Sequence, residues 1–297
     1  MSKPFRYVAT IVAGQGGVLD PSLVDRIAAA AGLLSAPRAQ LAPEAVDLYF
    51  DADDLAQMRL RLLAALSGAR IDVIAQPVEG RRKALLVADM DSTMIAQECI
   101  DELAELVGLR AEISAITLRA MRGEIDFEEA LRARVARLAG VTLAQIEEIV
   151  SRLTLNDGAR ALVATMRAHG AYAALVSGGF TQFTRAIAAR LGFDEMRANQ
   201  LEMSNGALTG AVMSPVLGAA AKRDALIELC STRAIALSDA LAIGDGANDL
   251  DMLRTAGLGV AFRAKPKVAA AAHARLEHAD LTALLYAQGY RREEFVE

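Results

Sequence analysis

The sequence contains no tryptophan, and its tyrosines and phenylalanines together make up only 4% of 297 residues. No aromatic platform is available on which bases could stack. With 32 Lys plus Arg against 37 Asp plus Glu, a net charge of −5, no basic face for a phosphate backbone stands out either. Nucleic acid is therefore set aside as a partner. Hydrophobic residues reach 54%, but in short alanine- and leucine-rich runs, none near the roughly 18 uninterrupted apolar residues of a membrane span. A membrane is not expected. Cysteine is scarce: Cys99 and Cys230 lie far apart, without metal-ligating neighbours at short spacing, which suits a reducing compartment. The opening MSKPFRYVAT lacks the apolar stretch and cleavage site of a secretory leader, so the expected location is the cytoplasm.

What is present organises into two units, as the length suggests. Residues 5–13 read as a strand and 21–31 as a helix, with Asp20 as N-cap and Pro21 in its first position. Two short extended pieces follow around Pro43, then a helix over 53–67 and a strand, IDVIAQP. The order βαββαβ predicts a ferredoxin-like unit over residues 1–80. Its GQGGVLD stretch is a glycine turn and not a dinucleotide loop, because Leu19 stands where a third glycine would be needed. EGRRKALLV reads as a polar linker entering a strand at 84–88 and opening a second unit, residues 81–297.

From about 97 to 155 the pattern is helical, with Ile100, Leu103, Leu106 and Val107 on one face and Leu143, Ile146, Ile149, Val150 and Leu153 on another. This predicts a helical cap insertion. Beyond it come helix 157–169, strand 172–176, helix 181–191, a hairpin at Asn205-Gly206, helix 220–231, strand 240–243, helix 248–255 and strand 258–262. Such alternation predicts the α/β class, a Rossmann-like, mostly parallel sheet.

Open α/β sheets bind ligands beyond the carboxyl ends of their strands. Three strand ends are loaded here: Asp89-Met90-Asp91-Ser92-Thr93, Ser177-Gly178-Gly179, and Gly244-Asp245-Gly246-Ala247-Asn248-Asp249. A lone Asp-x-Asp is more often a turn and helix cap. A second acidic cluster at another strand end changes the balance, since four converging carboxylates would raise one another's pKa unless a cation joined them. The ligands are all oxygen, and the three histidines, His169, His273 and His278, lie outside the motifs, so Mg²⁺ is the natural ion. Lys222, behind GAAA at a helix start, is either a solvated lysine or the remaining counter-charge. Ser177 with the Gly178 and Gly179 amides at the start of a helix would cradle an anion, although SGG alone is more often a turn.

The ordered set Asp89-x-Asp91-x-Thr93, Ser177, Lys222 and Gly244-Asp245-Gly246-x-Asn248-Asp249 resembles the haloacid dehalogenase superfamily of phosphatases over about residues 82–297. The resemblance implies that Asp89 is the nucleophile, forming an aspartyl-phosphate, and that Asp91 is the general acid and then the base. It implies Mg²⁺ on the Asp89 carboxylate, the Asp91 backbone carbonyl and the Asp245 carboxylate, with Asp249 in or near the sphere behind them. Ser177, the Gly178 amide and Lys222 would hold phosphoryl oxygens, and Asn248 would orient the phosphate. A charge count agrees with that assignment. Four carboxylates and a phosphate dianion make about six negative charges against about three positive ones, so one carboxyl, Asp91, should keep its proton.

Substrate choice is expected in the cap. Phe127, Leu131, Arg134 and Leu138 share one helical stripe, so Arg134 needs a partner: a structural ion pair, or a substrate carboxylate gripped by its planar fork. Glu98 either favours a helix N-terminus or receives a substrate ammonium. The stretches DMDSTMIAQECIDELA, DFEEALRARV, VSGGF, AAAK and GDGANDLDML resemble the superfamily members that hydrolyse O-phospho-L-serine, the last step of serine biosynthesis. That implies Glu98 on the ammonium, Arg134 on the carboxylate, and Met121 and Phe127 as pocket walls. Transfer of the phosphoryl group to a small alcohol such as homoserine, or an amino-acid sensor without turnover, are the alternatives. The N-terminal unit resembles an ACT-type fold, which implies regulation by an effector such as serine or a role in pairing subunits into a homodimer.

Overall fold

The computed structural model describes residues 5–66, 68–121 and 124–297, without the side chain of residue 121. The N-terminal unit contains β1 (Tyr7–Ala13), α1 (Pro21–Ala31), β2 (Arg38–Ala42), β3 (Ala45–Phe50), α2 (Leu55–Ala65) and β4 (Ile71–Pro77). Its strands pair antiparallel in the order β2-β3-β1-β4, the expected split arrangement. Asp20 caps α1 by accepting from the Ser22 amide at 2.9 Å, and Asp54 caps α2. Strand alternation gives the sheet two apolar faces. Ile11, Leu48 and Val73 join the core beneath the helices, while Val12, Ala45 and Ile74 pack into the core of the second unit.

The polar linker is not a loose tether. Arg81 reaches back to Asp47 at 2.8 and 3.1 Å and donates to the carbonyls of Tyr286 and Ala287. Lys83 is buried and donates to the carbonyls of Gly80 and Ser238. Composition reads as solvated here because long cationic side chains can bury their stems while their heads find carbonyl partners.

The second unit begins with β5 (Leu85–Ala88). The cap follows as α3 (Cys99–Leu106), α4 (Arg110–Met121), α5 (Phe127–Ala136) and α6 (Leu143–Arg152). Next come α7 (Ala159–Ala168), β6 (Tyr172–Phe180), α8 (Thr181–Leu191), β7 (Glu195–Asn199), the hairpin β8 (Leu201–Ser204) and β9 (Ala207–Val212), and α9 (Ala219–Thr232). The chain then forms β10 (Ala240–Gly244), α10 (Leu250–Thr255), β11 (Leu258–Phe262), α11 (Pro266–Ala271), β12 (Ala274–Leu276) and α12 (Ala283–Ala287). The six-stranded sheet runs β12-β11-β10-β5-β6-β7 with every pair parallel. β5, β10 and β11 are buried along their whole length, hence their continuous apolar composition. From β5 the chain proceeds outward to β6 and β7, then returns to the other side for β10, so the direction of winding reverses between β5 and β10. Ligand crevices form at such a reversal.

The two cap connections lie side by side: Ile95 bridges Leu155, and the Ala96 amide donates to Thr154 O at 2.9 Å. The hairpin packs on the cap, where the Gly140 amide donates to Leu208 O, the Leu208 amide donates to Val141 O, and Arg132 donates to Val212 O. One expectation is corrected. β6 continues through Ser177, Gly178 and Gly179 to Phe180, so the SGG amides are three extended residues and not the first turn of a helix, which begins at Thr181. The segment after β11 adds the sixth strand, too short and polar to show a period of two. No described helix is long and apolar enough to cross a membrane.

Candidate active site

β5 ends by handing Asp89 to the crevice, its amide bonded to Ile243 O of β10 at 2.9 Å. The chain turns at once: Thr93, Met94 and Ile95 all donate to Met90 O, and Ser92 takes φ 55°. Asp89 is 5% exposed. Its Oδ1 accepts from the Met90 amide at 2.8 Å and from Lys222 Nζ at 2.7 Å, whereas among the described residues no hydrogen bond ends on Oδ2.

Lys222, in the first turn of α9, is fully buried, which removes the reading of a solvated surface lysine. It lies between Asp89 Oδ1 and Asp249 Oδ1, both at 2.7 Å. Asp249 spends its second oxygen on the Gly246 amide at 2.9 Å. It packs so tightly on Gly244 that a Cβ there would overlap its carboxylate, which requires the glycine. Asp245 accepts the Thr93 hydroxyl at 3.2 Å. Carboxylate oxygens of Asp89, Asp245 and Asp249 lie within 4.8 Å of one another.

This crowding sets the electrostatics. Burial, then the Asp249 charge, push the Asp89 carboxyl well above the usual carboxylate range against the pull of Lys222. Burial and Asp249 likewise raise Asp245 to about 6, and burial with Glu98 raises Asp91 to about 7. Burial works to lower Lys222, but the Asp89 and Asp249 carboxylates outweigh it and hold the ammonium charged. One lysine does not balance the cluster. An added cation relieves all three carboxyls together, and an all-oxygen donor set suits a hard ion. A hard divalent cation fits these residues. The Asp89 and Asp245 carboxylates would hold it, with Asp249, whose oxygens are taken by Lys222 and the Gly246 amide, behind them.

Asp91 Oδ1 receives the Cys99 amide at 3.4 Å, and Oδ2 lies against Gly179, where a Cβ would come within 2.9 Å. The loop after β5 and the end of β6 therefore meet at Asp91. Ser177 is buried and accepts the Gly179 amide at 2.9 Å. A Cβ on Gly178 would stand 3.8 Å from Asn248 Nδ2 and 3.6 Å from Phe127 Cζ, so Asn248 and the cap's Phe127 converge on Gly178. Phe127 also overlies Gly218, at the base of α9.

Glu98 occupies the N-cap of α3 without capping it. It sits at the rim, accepts the Ser92 hydroxyl at 2.6 Å, and is raised by the crowding of protein atoms around it. Arg134 is half-buried and donates to Ala130 O at 3.2 Å; burial lowers its pKa while Asp101 and Glu98 raise it. Among the described residues it forms no ion pair, so the structural-pair reading finds no partner. The side chain of Met121 lies outside the described residues.

Three contributors were not assigned a role from sequence. Thr93 stands in the quoted motif, and its hydroxyl on Asp245 could have been sought there. Ser92 orients Glu98. Asn156 donates to the carbonyls of Thr93 and Ile95 at 2.8 and 3.1 Å, stapling the returning cap connection to the loop after β5, and nothing in its local sequence announces this.

Residues 86–254 match the family model of haloacid dehalogenase-like hydrolases. A phosphoserine phosphatase of Albidiferax ferrireducens is 47% identical over 75% of this chain and 96% of its own length. One from Streptomyces coelicolor is 44% identical over 78% of this chain, which spans only 56% of that relative. Among solved structures, a HAD family hydrolase from Salmonella enterica serovar Typhi superposes with a TM-score of 0.86 at 29% identity, covering 95% of this chain and 97% of its own. Two phosphoserine phosphatase structures, one a phospho-aspartyl intermediate analogue and one substrate-bound, each give a TM-score of 0.64 at 38% identity, over 69% of this chain and 98% of theirs.

Proposed function

Because the chain belongs to the haloacid dehalogenase-like hydrolases, we propose that it is a Mg²⁺-dependent phosphatase that hydrolyses O-phospho-L-serine to L-serine and phosphate. The observation that carries the reaction type is the asymmetry of Asp89. One oxygen is locked by the Met90 amide and Lys222, and the other is free of hydrogen bonds from the described residues. Locking Oδ1 fixes the direction from which Oδ2 attacks phosphorus.

In the first displacement an Oδ2–P bond forms and the P–O bond to the serine side chain breaks. Asp91, raised to about 7 and so protonated in part of the molecules at neutral pH, delivers its proton to the leaving alkoxide. In the second, Asp91 takes a proton from water, which attacks the aspartyl-phosphate; phosphate leaves and Asp89 is restored. Ser177, the Gly178 amide, Asn248 and Lys222 hold the phosphoryl oxygens. The Asp89 and Asp245 carboxylates and the Asp91 carbonyl would hold Mg²⁺, which would supply neutralising charge at those oxygens. Glu98 and Arg134 offer opposite charges near one another at the cap, which matches an amino acid's ammonium and carboxylate. Phe127, seated over Gly178, walls the pocket.

Phosphate release from L-phosphoserine is to be measured beside phosphothreonine, a sugar phosphate and an aryl phosphate, with Mg²⁺ and with chelator. Strong Mg²⁺-dependent preference for phosphoserine is the expected result. Equal cleavage of all four would overturn the substrate, and no cleavage at all would overturn the hydrolase.

A further inference from the structure

Asn199 ends β7 with 2% exposure, yet none of the roles above uses it. Its Nδ2 donates to Gly178 O at 2.8 Å and Leu217 O at 3.1 Å, and its Oδ1 accepts from the Leu217 amide at 2.7 Å. Two carbonyls can only accept and an amide N–H can only donate, so this pattern fixes which way round the carboxamide lies.

One partner, Gly178, is itself assigned to the phosphate, and the other, Leu217, leads into the helix that carries Lys222. The Gly178–Gly179 peptide is gripped at both ends, its carbonyl by Asn199 and its N–H by Ser177 Oγ at 2.9 Å. A serine oxygen that accepts the Gly179 amide keeps its own proton to donate elsewhere, which is what a phosphoryl oxygen needs. On the other side, Leu217 precedes Gly218, which caps α9, and Lys222 lies in the first turn of that helix. Pairing between β6 and β7 loses register between Val176 and Phe180, so the ladder cannot hold Gly178 there. The side chain of Asn199 takes over from the missing backbone partners.

We propose that Asn199 is a positioning residue that holds the Ser177–Gly178 loop and the start of α9 in one fixed relation, so that hydroxyl and ammonium address the same phosphate. This rests on the reading of the site as one for phosphate monoesters. It acts on the phosphate and not on the amino-acid end, which gives it a signature distinct from that of Arg134.

Asn199→Asp keeps the shape and the acceptor for Leu217 but turns two donations into repulsions; Asn199→Ala removes all three bonds. Both should lower kcat/KM by about 10- to 100-fold on phosphoserine and aryl phosphate alike. Inorganic phosphate should weaken as a competitive inhibitor by a similar factor, with the half-saturating Mg²⁺ concentration unchanged. The proposal is overturned by folded variants that keep kcat/KM and phosphate inhibition, by a loss confined to phosphoserine, or by a loss that Mg²⁺ affinity shares. If neither variant folds, the wild-type protein decides: the Asn199 side-chain amide signals in NMR should exchange slowly with solvent and shift on addition of inorganic phosphate, and an absence of shift refutes the role. A wild-type protein inactive on every ester refutes the hydrolase reading instead, and the same phosphate titration then judges Asn199 by itself.

Discussion

In the proposed site, Asp89 and Arg134 would separate chemistry from recognition. Asp89→Asn replaces the attacking oxygen with an amide that is not a competent nucleophile, and turnover should vanish on every ester; retained activity in a steady-state assay would remove the assignment. Arg134→Ala should cost about two to three orders of magnitude in kcat/KM for phosphoserine and far less for an aryl phosphate, because only the former has a carboxylate to lose. Equal losses on both would make Arg134 structural. The carboxyl cluster also predicts how metal and pH interact. In the metal-free protein Asp245 is raised to about 6, Asp91 to about 7, and Asp89 well above its ordinary value, facing Asp249, Glu98 and the single charge of Lys222. Groups raised on folding stabilise fully below their unfolded pKa, about 3.9 for Asp, and that contribution is lost as pH rises through the folded values. The chelated protein should therefore lose thermal stability between pH 5 and 8, and the rise in Tm on adding Mg²⁺ should be larger at pH 8 than at pH 5. A Mg²⁺ effect independent of pH would contradict this.

The cap depends on α5, which carries Phe127 at its start and Arg134 in its last turn. Asp126 caps that helix by accepting the Glu129 amide at 2.8 Å. Asp126→Ala should lower stability by about 1 kcal/mol in denaturant titration. It should also raise KM for phosphoserine more than for an aryl phosphate, since α5 carries Arg134, the proposed carboxylate-binding group; unchanged KM values would mean that α5 is held by packing alone. Elements were legible in the sequence where one period dominated. α1 and its Asp20 cap, the order βαββαβ, and the three loaded strand ends could all be read from local pattern. The end of β6 could not, because Ser177-Gly178-Gly179 looks like a turn unless the partner strand that extends it is known. β12 and the segment around it were illegible for a related reason: three residues carry no periodicity, and their strand state comes from pairing with β11.

The two units share more than a linker. Asp72 of β4 is buried and accepts the backbone amides of Glu277, His278 and Ala279 at 3.0, 2.9 and 2.7 Å, and Gln76 donates to Ala287 O at 2.7 Å. Together with Arg81 on Asp47 these contacts weld the N-terminal sheet to the end of the chain. The ensemble should unfold in a single thermal transition. Asp72→Ala should cost about 2 to 4 kcal/mol by leaving buried amides without an acceptor. Two separate transitions in calorimetry would show instead that the units are energetically independent, as a mobile regulatory domain would be.

What the sequence determined by itself was which polar residues stand at each strand end, because residue types are written locally and the apolar runs before them mark where they emerge. It also determined the helical stripe that carries Phe127 and Arg134. Tertiary structure alone decided the rest: that Lys222 is buried between Asp89 and Asp249, that Thr93 reaches Asp245, and that Asn156 and Asn199 hold loops far from them in the chain. The physical reason is one of range. Periodicity and capping are set by neighbours within a few residues, whereas the charge state of Lys222 and the partners of Asn156 and Asn199 depend on groups 27, 63 and 21 positions away.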